Sequence, residues 1–115
     1  MKASFSLLGQ VGLVSISGKL EIEKMPELRK ILLEQIKSHK IIVCFREIGF
    51  VGSYGITVLF QLIQEAQSLN PEGVKLSGLS RDFSFLMDSM GYKFQKYPTI
   101  DSALRAFEEL PSQSA

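Results

Sequence analysis

The chain has 115 residues, 45% of them hydrophobic and 22% charged, values of one soluble globular domain with no room for a second core. Thirteen basic residues against 12 acidic ones leave a formal net charge of +1, so bulk electrostatics does not call for nucleic acid or another polyanion. A single cysteine makes no internal bridge and no zinc-binding thiolate cluster, and no apolar run approaches the ~18 residues of a membrane span.

The first residues alternate. Phe5 and Leu7, then Val14 and Ile16, keep a period of two on either side of Leu8-Gly9-Gln10-Val11. Glycine at the first turn position suits a two-residue type II′ hairpin, because only glycine takes the positive φ cheaply. Two antiparallel strands are expected, at about 3–8 and 11–17. Such alternation is not the unbroken apolar stretch of a signal peptide, so a cytoplasmic protein is expected.

The period then changes. Met25, Leu28, Ile31, Leu32 and Ile36 recur at helical steps, with Pro26 where a first turn accepts it and Lys37 and His39 near the C-terminal end. The run 40–45, Lys40 to Phe45, is short, apolar and rich in β-branched residues, the pattern of a strand covered on both faces. A glycine-rich break, Gly49 to Gly55, precedes a helix expected at 56–69 with Ile56, Leu59, Leu62, Ile63, Ala66 and Leu69 on its buried stripe. Asn70-Pro71-Glu72-Gly73 ends it.

Val74 to Leu76 reads as a strand, and Phe83, Leu86, Met87 and Met90 as a helix closed by Gly91. Phe94 to Tyr97 reads as a last short strand. Ile100, Ala103, Leu104 and Phe107 define a final helix capped by Thr99. Residues 1–110 form the expected domain, and 111–115 a disordered tail. The order β-β-α-β-α-β-α-(β)-α puts parallel neighbours after an antiparallel hairpin. The fold class is therefore α/β, a mixed β-sheet of four to five strands with about four helices packed on it.

Enzyme chemistry fails on inventory. Gly12 and Gly18-Lys19 are separated by five residues where a phosphate loop needs four, and Leu20 stands in place of its hydroxyl. Gly49, Gly52 and Gly55 do not have dinucleotide-fingerprint spacing, and the only histidine, His39, has no second histidine to share a metal. About six strand residues at ~3.3 Å separate His39 from Ser53 by roughly 20 Å, beyond the reach of a general base. His39 reads as a solvated residue, Cys44 as a small buried hydrophobe, and Arg46 with Glu47 as a solvated loop pair. No catalytic residue, cofactor or metal is expected.

The segment Gly52-Ser53-Tyr54-Gly55 carries more information. Serine directly before an amphipathic helix is a natural N-cap, a role that needs no function. The same position lies where a buried strand opens at one rim of the sheet, the place where open α/β sheets put functional loops. A helix N-terminus also favours phosphate. Phosphoserine would add about −1.5 to −2 charges, and Thr57, four residues on, is a second hydroxyl on nearly the same face.

These residues resemble the STAS domain family, over about residues 3–110. Ser17-Gly18-Lys19-Leu20-Glu21 is similar to the family's Gly-x-Leu-Asp segment, and Met25-Pro26-Glu27-Leu28 to the opening of its first helix. Phe50-Val51-Gly52-Ser53-Tyr54-Gly55-Ile56 takes the place of its Asp-Ser-Ser-Gly-Leu loop. Residues 74–80 resemble the next strand and its exit, and 99–104 the last-helix signature. The resemblance implies a STAS-like fold and a non-catalytic binding module of the anti-sigma factor antagonist type. It implies a partner that is both anti-sigma factor and serine kinase, Ser53 as phosphoacceptor with Thr57 second, and release on phosphorylation. It also implies a partner-binding face formed by Gly52, Ser53, Tyr54, Gly55, Ile56 and Thr57, with no direct nucleic-acid contact and no membrane insertion.

Four positions depart from the family pattern. Gly52 replaces an acidic residue, Cys44 a strand aspartate, Tyr54 a second hydroxyl, and Glu21 a shorter aspartate. Gly52 and Tyr54 suit the alternative reading, a constitutive scaffold subunit of a stressosome-like or lipid-transport complex without a working phosphoswitch.

Overall fold

The computed structural model describes the backbone of residues 1–49 and 52–114, and the side chains of these except 46, 47, 49, 52–54 and 109–114. Five strands form one sheet in the order β1-β2-β3-β4-β5, where β1 is Lys2–Leu8, β2 Val11–Lys19, β3 Lys40–Gly49, β4 Val74–Ser77 and β5 Gln95–Tyr97. β1 and β2 are antiparallel, and every later neighbour is parallel. The helices are α1 (Met25–Ile36), α2 (Gly52–Leu69), α3 (Arg81–Ser89) and α4 (Ile100–Ser114).

Chirality explains the layering. Each step from β2 to β5 moves one strand in the same direction, and right-handed crossovers then put α1, α2 and α3 on one face. The main core lies there, between Val14, Ile41, Val43 and Leu76 of the sheet and Leu28, Leu32, Leu59 and Phe60 of α1 and α2. Only α4 packs on the opposite face, where Ala103 and Phe107 cover Ile42. β3 is thus buried on both sides, as its unbroken apolar run predicts.

The hairpin turn is as expected. Gly9 has φ +64° while no described non-glycine residue, Gln10 included, has positive φ, the sign pattern of a type II′ turn. A side chain at Gly9 meets no neighbour, so Gly9→Ala isolates the backbone cost. We expect a loss of about 1–2 kcal/mol, read by urea denaturation with the m-value unchanged.

Two polar devices hold the helices. Arg29 of α1 donates through Nη2 to Glu65 Oε1 at 2.5 Å and through Nε to Oε2 at 3.1 Å, clamping α1 to α2. This donation holds the Glu65 carboxyl below its ordinary value, so its contribution is present above the unfolded carboxylate pKa and is lost as pH falls through the folded one. Glu65→Gln should lower the melting temperature slightly at neutral pH, because the pair is exposed. The difference from the parent should close in strong acid. At α4, the Thr99 hydroxyl accepts from the Ser102 N–H at 3.1 Å, and the Ser102 hydroxyl accepts from the Thr99 N–H at 3.2 Å, a reciprocal cap.

Several expectations are corrected. Leu69 is 59% exposed and Met90 is also exposed, because each lies at the end of its helix, beyond the core. His39 is half-buried rather than solvated, its ring 6.1 Å from that of Phe5. The backbone of α4 is helical through Ser114, past Pro111, where the sequence leads one to expect a tail.

Candidate functional site

Parallel strands β2, β3 and β4 all end at one rim of the sheet. Along β3 the register slips there, from Ser15 opposite Cys44 to Ser17 opposite Glu47, so three steps on β3 match two on β2. Such a bulge bends and twists a strand, and it lies just before the chain passes to α2.

α2 starts at Gly52, four residues before its expected start. Ser53 is therefore inside the first turn, not the residue preceding it. Glycine is a poor helix former, and Gly52 and Gly55 hide the start from periodicity. Phe50 and Val51 lie outside the described residues, as do the side chains of Ser53 and Tyr54. The first turn contains no acidic residue, so its free N–H groups and positive dipole end are not neutralised from within.

The rest of the expected face divides. Gly55 is buried against the β2–α1 connection, a Cβ there lying 3.7 Å from that of Leu20. Ile56 is only 2% exposed and belongs to the core, so it supports the turn from behind and offers no surface to a partner. The stripe that buries it also carries α2 onto the sheet. Thr57 is half-buried. Glu21, at the neighbouring corner, accepts from the Met1 ammonium at 2.5 Å, which holds its carboxyl below the usual range.

Sequence reading missed a second feature of this rim. Ser77, at the end of β4 and in register with Cys44, is 0% exposed, and its hydroxyl has no partner among the described residues. It lines an open groove of about 620 Å³ on the α4 face, with Leu13, Cys44, Thr99, Asp101 and Leu104. Neither residue reads as a pair along the chain, since 33 positions separate them; only strand pairing joins them. Among the described residues, no group of three His, Cys, Asp or Glu could hold a metal ion, and no helix is long and apolar enough to cross a membrane.

A central strand that exits into a helix N-terminus, in a mixed sheet whose fourth helix alone covers the reverse face, defines a small α/β module. The STAS domain model matches residues 6–105; the chain belongs to the STAS domain family.

Solved structures share the fold. A serine-to-glutamate variant of RsbS from Moorella thermoacetica aligns over 97% of this chain and 99% of its own, with a TM-score of 0.78 at 15% identity. The Bacillus cell fate determinant SpoIIAA in its phosphorylated form aligns over 92% of this chain and 99% of its own, at 0.68 and 15%. An anti-sigma factor antagonist from Mycobacterium paratuberculosis aligns over 91% and 92%, at 0.69 and 21%. No curated protein matches by sequence.

Proposed function

We propose that this chain is a non-catalytic, cytoplasmic regulator that captures an anti-sigma factor with serine kinase activity through the first turn of α2. Phosphorylation of Ser53 releases that partner. The observation that carries the reading is the position of Ser53 within a helix N-terminal turn, free of acidic residues, at the exit of the central strand. A phosphate is stabilised there by the free N–H groups and the dipole, so the fold tolerates the modification. A partner seated over the turn meets new negative charge and its hydration instead. The family likeness supports the same reading, since SpoIIAA is a fold relative solved in a phosphorylated form.

The experiment is affinity capture of the tagged chain from cells, with mass spectrometry of partners and phosphosites. Capture of an anti-sigma factor with serine kinase activity that phosphorylates Ser53 supports the proposal. A stably bound partner, unaffected by phosphatase and kinase treatment, supports the constitutive scaffold subunit. Gly52 and Tyr54 favour that second reading, because a missing carboxylate and an added aromatic ring suit a permanent contact.

A further inference from the structure

We infer that β1 pairs with β1 of a second copy, joining two five-stranded sheets into one continuous sheet about a two-fold axis. The sheet has two edges, and they differ. β5 has only three residues and is followed by Pro98, and its Lys96 is held by Asp88 at 2.7 Å. Short length, charge and proline are the usual guards against edge pairing. β1 has seven residues, and no charge, proline or register shift occurs from Ala3 to Leu8. It carries Leu7 at 53% exposure.

The hairpin sets which groups face outward. A two-residue turn makes its flanking pair, Leu8 and Val11, exchange both backbone hydrogen bonds. Alternation then turns the N–H and C=O groups of Lys2, Ser4, Ser6 and Leu8 toward β2, and those of Ala3, Phe5 and Leu7 toward the open edge. An antiparallel copy centred on Phe5 sets Phe5 opposite Phe5 and Ala3 opposite Leu7, with six backbone hydrogen bonds. It uses all seven residues.

The side chains agree with that register. On the core side the exposed Leu7 meets the half-buried Ala3 of the second copy. On the other face, Ser4 meets Ser6. Phe5 is already seated inward, its ring so close to Gly12 that a Cβ there would lie 2.6 Å from it, so the edge is preformed. Glu27 of α1 and Lys24 just before that helix lie beside Met1–Ser4. The exposed Glu27, Lys30 and Glu34 of α1 and Lys37 just after it alternate in sign, so two antiparallel copies bring opposite charges together.

The test reads mass and register separately, in a Cys44→Ala background. Light scattering should give a dimer. Ser4→Cys and Ser6→Cys proteins, mixed and mildly oxidised, should cross-link to each other, while each alone should not, because non-hydrogen-bonded pairs bring Cα atoms to about 4.5 Å. Leu7→Lys should weaken association about tenfold, its charge entering twice by symmetry, with the circular dichroism spectrum unchanged. A monomer at high-micromolar concentration, a dimer indifferent to Leu7→Lys, or a mixture that gives no disulfide overturns the inference.

Discussion

Ser53→Asp should weaken partner binding by more than a hundredfold, while Ser53→Ala stays within a few-fold of the parent. A hundredfold corresponds to roughly 3 kcal/mol, the scale expected when a buried contact must accept an unpaired charge. The same substitution should not destabilise the free protein. Ser53 lies in the first turn of an 18-residue helix with no acidic residue there, where a carboxylate interacts favourably with the dipole, by about 0.3–1 kcal/mol. Binding and stability are therefore expected to move in opposite directions. Titration calorimetry with the captured partner, beside thermal melts of the free variants, reads both. Equal affinity of Ser53→Asp and Ser53→Ala sinks the charge switch, and a melting temperature lowered by Ser53→Asp shows that its affinity loss is a folding defect. Phosphate remaining in Ser53→Ala is expected at Thr57.

Much of this site was legible from local signals. Gly9-Gln10 announces its turn because one backbone conformation needs glycine, and the apolar run of β3 announces a central strand because both of its faces are covered. The start of α2 was hidden for the converse reason. Gly52 and Gly55 weaken helix propensity, and the turn forms because Ile56 and the residues after it are buried against the sheet. Ile56 looked like a contact residue because it adjoins Ser53 in sequence, yet helical rotation turns it to the core. Lys75 gave no local sign of burial either. It is inaccessible, its ammonium hydrogen-bonded to Gln95 and 4.7 Å from the Phe107 ring centroid, a setting assembled from β4, β5 and α4. The Ser77–Cys44 neighbourhood likewise depends on strand register.

Phe60→Ala should be the most damaging single truncation in α2. Phe60 is fully buried, and it is absent from the stripe predicted for this helix, which ended instead at the exposed Leu69. Its ring meets Tyr92 edge-on at 5.6 Å, and Tyr92 stacks on Phe94 at 5.3 Å. The three rings tie α2 to the α3–β5 connection. Removing the first leaves a cavity and costs about 3–5 kcal/mol, with the aromatic contact part of that sum. Against a total stability of about 5–15 kcal/mol, this is a large fraction, and a melting temperature lower by more than about 10 °C is expected. Leu69→Ala, on the same helix, should shift it by less than about 2 °C, since its side chain is already mostly in water. Equal losses for the two variants would overturn the placement of α2 against the sheet. Under conditions where the folded fraction is still high, Phe60→Ala should bind the partner as the parent does, because its ring lies on the core side of the helix that carries Ser53.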